Sequence, residues 1–225
     1  MSKPFPIGSF YNVLFYSIIS TVAIFLLIFL ILIYKYDLLS DFTVMPFEIS
    51  NETFVFIPYK GDYGKMNHLF KKIQKDYSSI ASGNARMCTV YYDHTSKKEN
   101  AGRAVIGVLA KRDDNANEQI VSKMNRLGYT DTFQFERLKV VGTAFPLYSF
   151  LNILFGLFRG LPMVQKYLKE NKKKDHGSKA SLNVSDDYPI IHIYDYCLHK
   201  YIIAVPLKDS MIPQFDKLYE SHKDK

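Results

Sequence analysis

Cysteine is almost missing. Cys88 and Cys197 are the two in 225 residues, and they lie far apart. They give no disulfide framework, which suits a reducing compartment. There is no C-x-x-C and no H-E-x-x-H, and the six histidines are scattered, so no zinc site is spelled out. The sequence also lacks the dinucleotide fingerprint G-x-G-x-x-G and the hydrolase elbow G-x-S-x-G. One turn, "GDYGKM", invites comparison with a phosphate loop. Its glycines, Gly61 and Gly64, are too close, and Met66 stands where Ser or Thr should follow the lysine. The simpler reading is geometric: a sharp strand-to-helix turn that needs glycine. No catalytic constellation remains. The chain is expected to be non-enzymatic, with no cofactor and no metal.

Charge is missing over one long run. From Phe5 to Tyr34 there is no Asp, Glu, Lys or Arg, and Val13 to Tyr34 is almost wholly apolar. About 20 such residues span a bilayer as a helix. Tyr11, Tyr16, Tyr34 and Tyr36 stand near the ends, where amphipathic rings favour the interface. A cleaved signal peptide would have a shorter apolar core and a small-residue cleavage site, and "IYKYDLL" offers none. An uncleaved anchor over 11–35 is the preferred reading, preceded by a short segment, 1–10.

Charge does not fix the orientation, because Lys3 and Lys35 nearly balance across the run. The sequons Asn51-Glu52-Thr53 and Asn183-Val184-Ser185 provide a test of side. Net charge is +7, and +6 remains on residues 35–225 once Lys3 is set aside. No nucleic-acid motif accompanies that charge, so a neighbouring anionic leaflet explains it and no nucleic-acid partner is expected.

Residues 36–52 contain Pro46 and read as a linker. The following segments, to residue 207, read as one domain. "TFVFIP" (53–58) is β-prone. Met66, Leu69, Phe70, Ile73, Tyr77 and Ile80 recur at helical spacing. Strands follow at 86–93 and 103–111, then a polar connector with a short helix near 117–129. The order then recurs: a strand-rich stretch at 132–146, a helix at 147–171, and strands at 188–197 and 200–207 about Leu198-His199. Strand–helix–strand–strand, twice, predicts an α+β domain with an antiparallel sheet. Val140 to Phe158 is uncharged, but Gly142, Pro146, Asn152 and Gly156 argue for a strand and then a buried helix, not a second span. The Lys-rich stretch 167–187 reads as a solvated helix end and loop.

"PYKGDYGKMNHLFKKI" resembles the first strand-to-helix junction of GyrI-like domains, where a Gly-x-Tyr follows the first strand. With the anchor in front, and with "CTVYYDH" before "RAVIGVL", "GTAFPLYSFLNIL", "VQKYLKENK" and "YPIIHIYDYCLHKYIIAVPL" following in order, the chain resembles a membrane-anchored branch of that superfamily. The resemblance implies two strand–helix–strand–strand repeats about a pseudo-two-fold axis. It also implies a cleft between them for a small aromatic ligand, often cationic. Tyr59, Tyr63, Tyr91, Tyr92, Phe145, Tyr194 and Tyr196 are the aromatic candidates to line it, with Asp93, Glu136 or Asp195 as an acid. His192 stands where the family pattern suits a carboxylate. Most of these aromatics equally suit a core.

The anchored branch implies a receptor for autophagy of the endoplasmic reticulum, its domain in the cytosol and its course ending on the autophagosome. Such receptors hold ubiquitin-like autophagy modifiers through an aromatic-x-x-aliphatic motif in a long acidic tail. Here the tail is 208–225, and Phe215-x-x-Leu218 supplies that quartet, with Asp216 and Glu220 beside it. Such a segment adds a strand to the modifier's sheet and drops two side chains into pockets. The competing reading is that Phe215 and Leu218 pack back on the domain. The functional expectation is a single-pass, non-enzymatic receptor in the endoplasmic reticulum membrane. The alternative is a membrane-tethered small-molecule binding domain.

Overall fold

The computed structural model describes residues 7–37, 42–81, 86–92, 102–111, 115–129, 131–174 and 188–207. Asp93, Asn183, Phe215 and Leu218 lie outside them. The chain divides into two compact units, 1–41 and 42–225.

The first unit is helix α1 (Ile7–Lys35). Its 29 residues measure about 43 Å at 1.5 Å per residue, more than the roughly 30 Å of bilayer hydrocarbon. Tyr11–Lys35 is the one helical stretch among the described residues long and apolar enough to cross a membrane. Residues 11–31 are exposed on every face. The Thr21 hydroxyl donates to the Ser17 carbonyl at 2.8 Å, so even this polar group is satisfied within the helix.

The second unit contains β1 (Met45–Gly61), a 3₁₀ turn (Tyr63–Met66), α2 (Asn67–Ile80), β2 (Arg86–Tyr91), β3 (Gly102–Lys111) and α3 (Asn115–Arg126). It continues with β4 (Asp131–Pro146), α4 (Phe150–Lys174), β5 (Ile190–Asp195) and β6 (Lys200–Pro206). All pairings are antiparallel, and the order β1-β3-β2-β5-β6-β4 closes into a barrel. The order is itself symmetric. β1-β3-β2 around α2 is the first repeat, and β4-β6-β5 around α4 is the second. The repeats join twice, β1 to β4 and β2 to β5. This is the α+β arrangement of two strand–helix–strand–strand units expected for a GyrI-like domain.

Side-chain alternation sorts the core into two layers. Phe54, Phe56, Cys88, Val90, Val105, Leu109, Phe135, Ile191 and Ile193 belong to a cluster drawn only from strands, which fills the barrel. Val55, Ala104, Ile106, Val108, Met87, Tyr201 and Ile203 face the other way and meet Met66 of the 3₁₀ turn, Ile73 of α2, and Ile120 and Met124 of α3. Ile153, Leu157 and Leu161 of α4 pack against this outer layer. Pro162 lies inside α4 without ending it.

Two of the element boundaries that differ from the sequence reading have a visible cause. β1 begins at Met45, inside the stretch read as linker. Its inward residues are Phe47 and Ile49 before Asn51, but Phe54 and Phe56 after it. Asn51 takes a φ of 56°, a left-handed conformation that Asn tolerates, and this slips the alternation by one. A period-two scan loses the strand there. The β5–β6 connection is four residues, 196–199, not Leu198-His199 alone. Asp195 Oδ1 accepts the Leu198 N–H at 2.9 Å, and His199 adopts a φ of 50°. Tyr196 and Cys197 therefore belong to the turn.

Candidate functional site: a groove between the repeats

Symmetry places a groove where the two repeats meet. The first repeat contributes the 3₁₀ turn and α2 through Tyr63, Gly64, Met66, Asn67, Phe70, Lys71 and Gln74. The second contributes the β4–α4 connection from Leu147 to Phe150, Ile153 of α4, and Tyr194, Tyr196 and His199 around the β5–β6 turn. The groove holds about 780 Å³.

Local chemistry fixes each wall. Gly61 has a φ of 150°, which an L side chain rarely adopts, and it lets the chain leave β1 sharply. Asp62 then caps the 3₁₀ turn by accepting the Gly64 N–H at 2.8 Å, and the Tyr59 hydroxyl donates to the Asp62 carbonyl at 2.6 Å. Tyr63 is anchored by donating to the Arg103 carbonyl at 2.9 Å. On the other wall, Asn152 Oδ1 accepts the Tyr148 and Ser149 N–H groups at 3.3 and 3.0 Å. The Leu147 N–H donates to the His199 carbonyl at 2.8 Å, tying the β4–α4 connection to the β5–β6 turn.

Beneath the groove lies a continuous aromatic layer. Phe70 meets Tyr194 edge-on at 5.4 Å, and Tyr194 stacks on Tyr201 at 4.9 Å. Tyr63 meets Tyr91 edge-on at 5.0 Å, and Tyr91 meets His192 at 4.8 Å. Tyr201 Oη and His192 Nδ1 share a hydrogen bond of 2.9 Å. Burial holds these phenols protonated. It pushes Tyr91 up to about 12 and drives Tyr194 and Tyr201 further above the usual tyrosine value. Tyr196, in the groove wall, is also raised by burial.

The residues singled out in the sequence separate into three places. Tyr63, Tyr194 and Tyr196 line the groove. Tyr91, Phe145 and His192 lie in or under the aromatic layer, and Tyr59 packs at its side. Tyr92 packs instead with the barrel-filling cluster. Glu136 is exposed on β4, beside the strand residue that pairs across from Glu52. Asp195 is buried at a barrel mouth, 3.0 Å from Arg86. None of Tyr92, Glu136 and Asp195 lines the groove. His192 is a buried core histidine, packed among the rings of Tyr91, Tyr194 and Tyr201 and sharing its hydrogen bond with the last of them.

The sequence reading did not single out Phe70, Lys71, Tyr148, Phe150 or His199 as site residues. Phe70 belonged to a helical apolar stripe, and the rest carry no motif. The one available signal was the repeated element order: equivalent strand-to-helix junctions in the two repeats face a shared groove.

No family model matches the chain, and no curated protein matches it. Solved structures do. The EcmrR C-terminal domain aligns at 12% identity over 75% of this chain and 99% of that one, with a TM-score of 0.45. An integron cassette protein from the mobile metagenome of Vibrio cholerae aligns at 8% identity over 75% and 95%, with a TM-score of 0.36. The functional reading is built on the groove.

Proposed function

We propose that the chain is a membrane-tethered, non-enzymatic binding domain that holds a small aromatic molecule between its two repeats. The observation that carries this reading is the groove itself. Its 780 Å³ lies within the roughly 300–1,000 Å³ typical of small-molecule sites. Its walls are mostly apolar and aromatic, with a few polar groups to set orientation. The N-terminal helix supplies the tether, and the resemblance to GyrI-like domains supplies the expectation of an inter-repeat ligand. The test is a thermal-shift screen of the full chain in nanodiscs against small aromatic molecules. Binding that a Phe70→Ala/Tyr148→Ala double change abolishes is expected. Saturable binding that survives the double change would move the site elsewhere.

A second reading comes from the tail. The resemblance extends to testis-expressed protein 264, and Phe215-x-x-Leu218 offers the quartet an autophagy modifier would take. On this reading the chain sits in the endoplasmic reticulum membrane with its domain in the cytosol, bridging membrane to autophagosome. A pull-down with purified modifiers, comparing wild type with Phe215→Ala/Leu218→Ala, decides it. The orientation has its own check. Asn51 is exposed, so a glycan there in cells would put the domain in the lumen and end the autophagy reading.

A further inference from the structure

We infer that the groove selects an aromatic anion, a flat ring system carrying a carboxylate, and not the aromatic cation that the resemblance implies. The inference rests on the groove being the ligand site, as proposed above.

Charge is one-sided there. Among the described residues that line the groove, Lys71 is the one with a formal charge at neutral pH, and no Asp or Glu joins it. Lys71 is exposed and carries no ion pair among the described residues. A cation entering between the rings would meet this ammonium group and find no carboxylate in the lining. An anion would find it favourable.

The nearby carboxylates are committed elsewhere. Asp62 uses Oδ1 to cap the turn at Gly64. Asp195 belongs to the barrel mouth, where it faces Arg86 and holds the Leu198 N–H. Glu136 is exposed on β4, away from the groove lining.

The backbone does not add to this charge: Asn67 continues the 3₁₀ turn into α2, with the Gly64 N–H taken by the Asp62 carboxylate, and the Tyr148 and Ser149 amides ahead of α4 are taken by Asn152 Oδ1. Of the polar side chains on the walls, Asn67 and Gln74 can donate hydrogen bonds, whereas the Ser149 hydroxyl already donates to Asn152 Oδ1 at 3.1 Å. Ring faces and edges from Phe70, Tyr148 and Phe150 supply the flat apolar walls.

The test uses three probes of one shape: 2-naphthoate, 2-naphthamide and 2-naphthylmethylammonium. Each is titrated by calorimetry into the full chain in zwitterionic nanodiscs, with empty nanodiscs as the blank. Naphthoate is expected to bind roughly threefold or more tighter than naphthamide, the gain of one exposed charge pair, with the ammonium probe weakest. The advantage should shrink as salt rises. Lys71→Gln should bring naphthoate down to naphthamide, whereas Lys75→Gln, on the same helix but outside the groove lining, should change neither. Tightest binding by the ammonium probe, lost in Phe70→Ala, would overturn the anion inference and leave the groove standing. A naphthoate preference unmoved by Lys71→Gln would also overturn it. Absence of saturable binding by all three would overturn the groove reading, and the inference with it.

Discussion

Arg86 Nε stands 3.0 Å from Asp195 Oδ2, and the same guanidinium also pairs with the Glu52 carboxylate. The three residues share the inward phase of their strands: 52 with Phe54, 86 with Cys88, and 195 with Ile193. They close one mouth of the barrel. Glu52 and Asp195 are both buried, so two carboxylates depend on one cation. Deleting that cation should cost more than deleting an ordinary surface ion pair. Arg86→Met is expected to destabilise the domain by about 3 kcal/mol, because it leaves two buried charges without a counter-ion. Denaturant melts of the full chain in detergent would measure it. A loss under about 1 kcal/mol, the range of an exposed pair, would show that water already serves both carboxylates.

The tyrosine layer predicts alkaline lability. Tyr91, Tyr194 and Tyr201 have folded values raised above the ordinary tyrosine value by burial. A raised value means the unfolded chain loses its protons first. Their contribution is therefore complete below about pH 10 and falls as pH rises toward about 12 and beyond. Each such tyrosine should remove about 1.4 kcal/mol per pH unit over that window. Melting temperature followed from pH 8 to 11.5 should fall steeply only above pH 10. A flat profile would mean that these rings reach solvent.

The two thiols should behave as opposites. Burial pushes the Cys88 thiol far up, with the Glu52 carboxylate adding to the shift, and the side chain is enclosed in the barrel. Cys197 is exposed in the β5–β6 turn. Iodoacetamide at pH 8 should label Cys197 in the native chain, and Cys88 only after denaturation. Mass spectrometry of the labelled peptides reads this directly. Early Cys88 labelling would reveal an opening of the barrel.

At the turn, Gly61→Ala should cost more than about 1 kcal/mol. The substitution forces an L residue to a φ of 150° and brings its Cβ to 3.0 Å from Tyr59 Oη. That corresponds to a fall of roughly 2–4 °C in melting temperature for a domain of this size. An unchanged melt would show that the turn can re-form without glycine.

Much of the architecture was legible because its signals are local. An uncharged run longer than a bilayer is thick marks α1. The stripe from Met66 to Ile80 marks α2, and the recurrence of element order marks the two repeats. The start of β1 was not legible, since Asn51 switches the inward phase from odd to even residues and a scan for alternation fails there. The groove was half legible. Tyr63 and Tyr194 could be singled out as aromatics near junctions. Lys71, Tyr148 and His199 acquire meaning only when α2, the β4–α4 connection and the β5–β6 turn meet, and no spacing in the sequence records that meeting. Tyr92 shows the converse. It neighbours Tyr91 in sequence, but successive residues of an extended chain point to opposite faces, so just past the end of β2 it packs against the barrel-filling cluster instead.

The closed circuit of six strands bears on how the domain keeps company. Every described strand has a neighbour on both sides over part of its length, so among the described residues the rim of backbone amides and carbonyls without a second strand is confined to 45–51 of β1, ahead of its pairing with β3, and 131–138 of β4, ahead of its pairing with β6. Tethering to a membrane would confine many copies to a plane, where chance encounters multiply. A sheet with open rims would then tend to stitch itself to its neighbours. This one can extend that way only along those two stretches, since elsewhere a pairing would have to break first. By the same token, a partner that recognises its targets by adding a strand would have to dock there or take hold of chain outside the barrel.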